Sequence, residues 1–421
     1  MTLSDWLSWQ ESQHTKKIDL GLERTQPVLC RMGLDRPVHA IITVAGTNGK
    51  GSSVALLETI LLCAGYRVGA YTSPHLRRYN ERVRVNGAEA SDTQLCESFQ
   101  RIDEARAATM LTYFEFGTLA AFDIFERAAL DVVVLEVGLG GRLDTVNLLD
   151  PDVALVTSIG LDHMEYLGPD RETIAREKAG IFRPQRPAIC GDRNPPKSLL
   201  THAETLGTSL YCLGRDFDYE AQANTWSWWG KTSDAIKRYE ALPHPALRGS
   251  FQLQNAAGVL MVLEQLHARL PVTPEAICQG LGTVNLVGRF QVIPGEVTRI
   301  FDVAHNPHGA AVLAQSLREH SCPGRTLVVF AMLADKDIAG VLAAMFEVVD
   351  AWYVAGLSVP RGASHELMQQ VLEASATQAV YVHASVGEAY RHALKDAHLG
   401  DRVVSFGSFY TVGEALKAAD E

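Results

Sequence analysis

Residues 38–65 read VHAIITVA, then GTNGKGS, then SVALLETILLCAG, and this order constrains the fold more than any other stretch of the chain. The first segment is a β-rich apolar run and predicts a strand. In the last, Val54, Leu57 and Leu61 recur at i, i+3 and i+7, which predicts a helix ending at Gly65. Between them lie Gly46, Thr47, Asn48, Gly49, Lys50, Gly51 and Ser52. The glycines let the backbone curl so that several N–H groups converge on a phosphate. Lys50 is placed to neutralise the outer phosphates. Ser52 can reach a Mg2+ ion at the helix N-terminus, whose dipole favours anions. The spacing is tighter than the common GxxxxGK[ST] pattern, so the strand–loop–helix context carries the reading.

The same alternation continues on both sides of this unit. Further strands are predicted over 66–72, 131–137 and 152–159, and a helix from the N-cap Asp170 to Gly180. Residues 208–245 break the rhythm and read as short antiparallel strands, with Trp226, Trp228 and Trp229 expected to pack that small sheet. Strands over 298–304, 326–332, 351–356, 379–383 and 402–408 then alternate with helices as a second α/β unit. The predicted fold class is therefore α/β with two domains. Residues 1–285 would form a phosphate-loop parallel-sheet ATPase domain with a small antiparallel β addition, and 286–421 a Rossmann-like α/β domain.

Composition narrows the function classes. The 421 residues carry 38 Lys plus Arg against 49 Asp plus Glu, a net charge of −11, which argues against nucleic-acid and anionic-membrane partners. A cleft can still hold local positive charge or a metal, so an anionic small substrate stays open. Seven scattered cysteines without a CxxC pair suggest reduced thiols. The N-terminal MTLSDWLSWQES has no basic and apolar signal pattern. Both point to a cytoplasmic protein. No heptad pattern suggests assembly, so a monomer is expected.

Three predicted strands end in candidate metal ligands. They deliver Ser73, Glu136 and the Asp162-His163 pair to the edge that carries the phosphate loop. An open parallel sheet binds ligands beyond its strand carboxyl ends, and a strand-end carboxylate is the usual metal-side partner of such a loop. Asp162 and Glu165 compete with His163 as ligand. Lys178, on a helix after Glu177, reads as a solvated side chain.

The motifs GTNGKGS, SPHLRRYNERVRVNG, LTYFEFGTLAAF, LEVGLGGRLDTVN, SIGLDHMEYLG, REKAGIF, GRFQ, FDVAHNPHG and GSFYTVGE occur in this order over nearly the whole chain. Together they resemble the folylpolyglutamate synthase/dihydrofolate synthase family of Mur-type ATP-dependent ligases. The match is weakest over about 190–250. KIDLGLER resembles the pterin-side segment of the bacterial bifunctional forms. The resemblance implies that Thr47, Asn48, Gly49, Lys50, Gly51 and Ser52 hold ATP phosphates. It assigns Mg2+ to Ser52, Ser73, Glu136, His163 and a carbamylated Lys178, as two ions with K+ a candidate addition. Lys50, Lys178 and His163 would be the catalytic residues. Asn255, Arg289, Asp302 and His305 would hold the base and ribose, with ATP between the domains and Gly288-Arg289 as the hinge. The pterin substrate falls to Asp19, Leu20, Gly21 and Leu22, with Thr112, Tyr113, Phe114 and Glu115, and Leu143, Asp144 and Thr145. For L-glutamate no residues are assigned. The Asp335-Lys336-Asp337 and Ser408 loops are candidates, with surface charge the plain reading of the first.

The implied reaction is ligation through an acyl phosphate. Dihydropteroate plus glutamate gives dihydrofolate, and reduced folates gain γ-linked glutamates. The chain would then pair an N-terminal ATP- and pterin-binding domain with a C-terminal glutamate-ligase domain. The alternatives are folylpolyglutamate synthesis alone, another Mur-type amino-acid ligase, or a nucleotide-gated binding protein without ligation.

Overall fold

The computed structural model describes residues 1–14, 16, 18–232, 235–373 and 378–421; Lys17 of the KIDLGLER segment and residues 233–234 of the 208–245 stretch lie outside these. The chain forms two units. The first comprises Met1–Gly160, Met164–Ala246 and Leu253–Val284, and the second Leu161–His163, Leu247–Gln252 and Asn285–Glu421.

The first unit is built on strands β1 (Ala40–Ala45), β2 (Val68–Tyr71), β3 (Val83–Val85), β4 (Ala88–Glu89), β5 (Val132–Glu136), β6 (Val153–Val156), β7 (Pro187–Cys190) and β8 (Ser209–Cys212). They join in the order β4-β3-β2-β5-β1-β6-β7-β8. All neighbours from β2 to β8 pair in parallel, and β3 and β4 form an antiparallel edge. Every residue of β1, β2, β5 and β6 is buried, which matches their near-continuous apolar sequences, interrupted only by Thr43 in β1 and by Glu136 at the end of β5. The helix Lys50–Cys63 follows β1 and buries most of its circumference. The helix Pro274–Thr283 approaches it at Gly280, where a Cβ would lie 2.7 Å from Ile60 Cα.

The small sheet consists of β9 (Phe217–Ala221), β10 (Thr225–Lys231) and β11 (Ile236–Pro243), all antiparallel. Part of the 208–245 expectation needs correction here. Residues 209–212 pair parallel to β7 and extend the main sheet, because the helix Lys197–Leu206 supplies a crossover rather than a hairpin turn. Trp226 and Trp228 pack the small sheet as expected and are fully buried. Their indole N–H groups donate to Pro243 O and Ala257 O. Trp229, on the opposite face, is half-buried.

The second unit carries β12 (Gln291–Ile293), β13 (Thr298–Asp302), β14 (Thr326–Phe330), β15 (Ala351–Ala355), β16 (Ala379–His383) and β17 (Arg402–Phe406). Their order is β12-β13-β17-β14-β15-β16, parallel apart from the short β12. Phe330, Trp352 and Phe406 centre its core. All seven cysteines are free. Among the described residues no helix is long and apolar enough to cross a membrane.

Candidate active site

The phosphate loop leaves β1 and is braced from the neighbouring strand end. Thr47 N donates to Ser158 O at 2.7 Å, and Thr157 Oγ1 donates to Asn48 O at 2.6 Å. The Thr47 hydroxyl bridges both backbone groups of Gly160, at 3.0 and 3.1 Å. Gly49 caps the following helix in the left-handed conformation, φ +87°. A Cβ there would lie 2.4 Å from Asn255 Oδ1, so Asn255 stands against the loop. Lys50 Nζ folds back onto Gly46 O at 3.0 Å and Thr47 O at 3.3 Å. Ser52, in the first helical turn, is buried. Thr157 and Ser158 were not anticipated, since a Thr-Ser pair at a strand end carries no phosphate-binding pattern of its own.

On the neighbouring strand ends, Ser73 N donates to Glu136 Oε2 at 3.2 Å. Glu136 is only 4% exposed, which rules out a solvated strand end. A serine hydroxyl and a carboxylate on adjacent strand ends are hard oxygen donors and fit a magnesium-type cation. The GLGGR segment after Glu136 packs directly on the turn that carries Lys178. Arg142 N donates to Glu177 O at 2.8 Å, and a Cβ at Gly141 would meet Glu177 O and Lys178 O. Arg142 also pairs with the Glu177 carboxylate at 2.9 Å. The expectation of a solvated Lys178 is therefore wrong. It is 4% exposed, because its helix turns this face onto the glycine-rich segment.

The three segments assigned to the pterin come together. Gly21 N donates to Leu143 O, which joins 19–22 to 143–145. Arg24 bridges Asp19 at 2.6 Å and Glu115 at 2.9 Å, which adds 112–115. Thr112 and Glu115 cap each other at the start of the helix Tyr113–Arg127, and Glu115 also accepts from Thr25. Their side chains thus hold the segment in place, while Tyr113 and Phe114 remain half-buried. Phe114 and Asp144 both press on Gly138, two residues beyond Glu136. Asp144 accepts from Leu139 N and Val146 N. Burial nevertheless dominates and pushes its carboxyl up to about 6.

In the second unit Asp162 is the hub. Its side chain, 9% exposed, receives Lys336 Nζ at 2.6 Å and Asn306 Nδ2 at 3.1 Å, with His305 Nε2 at 3.4 Å. Burial opposes its ionisation, but His305, His163 and Lys336 override that and hold it far below the usual carboxylate range. His163 adopts φ +51° and lies 3.3 Å from Lys336 Nζ through Nε2. Glu165 is exposed. The Lys336 side chain is 8% exposed, so the surface-charge reading of the Asp335-Lys336-Asp337 loop fails for Lys336, while Asp335 and Asp337 are exposed. Asp337 and Ser408 are helix N-caps. Asp302 accepts from Phe290 N and Ala304 N, and burial raises its carboxyl pKa against the pull of Arg289. The Arg289 guanidinium lies over Phe409 at 5.0 Å. Among the described residues no three His, Cys, Asp or Glu side chains form a ready-made metal cluster.

Comparison with known proteins identifies both units. The Mur ligase middle domain matches residues 44–263, and the Mur ligase glutamate ligase domain matches 288–409. A dihydrofolate synthase/folylpolyglutamate synthase of Escherichia coli is 46% identical over 418 residues, 99% of this chain and 96% of that protein. A Bacillus subtilis protein of the same name is 33% identical, over 85% of this chain and 86% of its own. The solved structure of Escherichia coli FolC in complex with DHPP and ADP superposes with a TM-score of 0.94 at 45% identity, covering 100% of this chain and 98% of that one. With two domain models in order and a relative matched end to end, the chain belongs to the dihydrofolate synthase/folylpolyglutamate synthase family of Mur-type ligases.

Proposed function

We propose that this chain joins L-glutamate to dihydropteroate, giving dihydrofolate, and to reduced folates as γ-linked additions, each at the expense of ATP. It is an ADP-forming acid–amino-acid ligase. One observation carries the substrate reading: the three pterin-side segments are joined to one another, through Gly21 N to Leu143 O and through Arg24 to Asp19 and Glu115. Two of them, at Phe114 and Asp144, border Gly138, two residues beyond the Glu136 strand end in the unit that bears the phosphate loop.

In this reading the N–H groups of residues 48–52 hold the nucleotide phosphates, and Lys50 leaves the Gly46 and Thr47 carbonyls to meet the outermost one. Asn255 stands beside the loop, and Arg289, Asp302 and His305 are assigned to the base and ribose. Ser52, Ser73, Glu136, His163 and Lys178 would hold Mg2+, which when bound neutralises phosphate charge. A buried lysine in that set favours carbamylation, which replaces a cation by an anionic ligand. The substrate carboxylate attacks the γ-phosphorus as ADP departs, forming an acyl phosphate. The glutamate amine then attacks the carbonyl carbon and inorganic phosphate leaves. Positioning and charge stabilisation suffice for both steps, with no protein nucleophile. The free cysteines suit a cytoplasmic enzyme, and we take it to act as a monomer.

The decisive assay supplies ATP, Mg2+ and glutamate with either dihydropteroate or tetrahydrofolate. Product from both is expected. Product from tetrahydrofolate alone would reduce the enzyme to folylpolyglutamate synthesis, and turnover only of a UDP-muramyl acid would overturn the folate reading. For Lys178, 13C-bicarbonate should give a carbamate NMR signal in the wild type that is absent from Lys178→Ala.

A further inference from the structure

Arg82 lies in the first unit between the pterin-side helix and the strand that delivers Ser73. It is 8% exposed. Its guanidinium rests against the rings of Tyr79 and Tyr113, with centroids at 5.3 and 5.5 Å. Its Nε donates to His75 Nδ1 at 2.9 Å, and the guanidinium also hydrogen-bonds the buried, neutral Tyr71 hydroxyl, so its polar partners are uncharged. Its backbone carbonyl accepts from Thr72 N, the residue before Ser73. His75, Tyr113 and Phe114 are half-buried, so the group borders solvent instead of sealed core.

What sets this arginine apart is its missing counter-ion. Neighbouring partly buried arginines are paired: Arg84 with Glu58 at 2.7 Å, Arg24 with Asp19 and Glu115, Arg101 with Asp123. Among the described residues only Arg402 is as deeply buried, and three oxygen acceptors satisfy it: Thr326 Oγ1, Leu317 O and His320 O. Around Arg82, among the described residues, no carboxylate stands within ion-pair distance. Beside it, the buried Tyr79 hydroxyl has no hydrogen-bond partner among the described residues. A guanidinium withdrawn from water onto two aromatic faces, without an anion, costs free energy until an anion arrives. Stacking leaves its planar fork fixed for a carboxylate.

We propose that Arg82 receives the carboxylate of the acid substrate, the benzoate-type group of the pteroate, and holds it toward the Ser73 and Glu136 strand ends. The inference rests on the folate reading above and adds a residue to it. The Tyr113 ring, which belongs to the pterin-side segment, forms one wall of the Arg82 seat, so a pterin lodged by that segment extends its acid end toward the guanidinium.

The test pairs two ligands with three proteins. Pteroate and the analogue carrying hydrogen in place of the benzoate carboxyl are titrated calorimetrically into wild type, Arg82→Met and Arg82→Lys, with AMPPNP and Mg2+ present. Wild type should prefer pteroate by at least about tenfold, the scale of one charge-assisted hydrogen bond. Arg82→Met should bind the analogue within about threefold of wild type and lose the preference. Arg82→Lys should keep part of it. A merely structural role would weaken both ligands alike, and that result, or a preference surviving in Arg82→Met, overturns the proposal. Failure of both compounds to bind wild type overturns the folate reading itself, and the Arg82 assignment with it.

Discussion

Gly49→Ala tests the phosphate loop at its tightest point. Gly49 holds φ +87°, a left-handed conformation that costs an alanine about 1–2 kcal/mol. The new methyl would also sit 2.4 Å from Asn255 Oδ1 and 3.2 Å from Asn255 Cγ, so the amide must be displaced. Overpacking of that kind costs about 1–3 kcal/mol. The two terms differ in how they can be relieved. Truncating Asn255 removes the collision and leaves the dihedral strain untouched.

The assay is therefore a cycle of wild type, Gly49→Ala, Asn255→Ala and the double variant, read by thermal denaturation without ligand. Gly49→Ala alone should lower the midpoint by several degrees, at about 2–4 °C per kcal/mol. The double variant should be more stable than the sum of the singles by about 1–3 kcal/mol. AMPPNP affinity should fall at least about tenfold in Gly49→Ala, because the N–H groups beyond residue 49 no longer converge. Additivity within about 0.5 kcal/mol would refute the contact and the geometry built on it.

Lys50→Ala should abolish product formation in the dihydropteroate assay with little change in the melting curve, since its ammonium sits on the Gly46 and Thr47 carbonyls of the phosphate loop rather than in the packed core; retained turnover would remove it from the phosphate site. Lys336→Met removes the lysine partner of the buried Asp162, leaving His305, Asn306 and His163, and should destabilise the second unit by about 3 kcal/mol in denaturant titrations, near the low end for breaking a buried pair. Asp144 titrates at about 6 in the folded chain, above its unfolded value, so the native state holds this proton more tightly. Its contribution to stability must therefore fall as pH rises from about 4 to 6, by roughly 3 kcal/mol in all. The melting-temperature difference between wild type and Asp144→Asn should shrink in that sense over the window, and a flat difference would contradict it.

The parallel sheets and the phosphate loop were legible because periodicity and glycine placement are local. The strands fell where β-rich runs begin and end, and the loop declared itself between a strand and a helix. What sequence missed depends on partners far along the chain. Residues 209–212 looked like the start of a hairpin, yet the preceding helix returns them parallel to β7. Lys178 and Lys336 looked solvated because their neighbours are charged, and both are buried by segments 35 or more positions away. Thr112 and Glu115 are assigned to the pterin through the family motif; what sequence did not show is that their side chains also cap a helix and, for Glu115, hold Arg24. A motif records that residues matter together; it does not separate those that touch a ligand from those that hold the ones that do.

The same distinction resolves the net charge of −11. An acidic chain that takes ATP, a pterin acid and glutamate must keep its own carboxylates from repelling them. Within each unit the buried carboxylates named above are dealt with locally. Glu115 lies under Arg24 and two N–H or O–H donors, Asp162 under Lys336, and Asp144 is held by backbone N–H groups with its carboxyl pushed up to about 6 by burial. Arg82 has a histidine nitrogen, the Tyr71 hydroxyl and two aromatic faces, neutral partners that cancel none of its charge. Potential at the strand ends is then set by where individual cations and carboxylates stand rather than by the total. A net-charge argument can reject extended polyanions such as nucleic acid, which need a broad cationic face, but one arginine in the right seat suffices for a carboxylate.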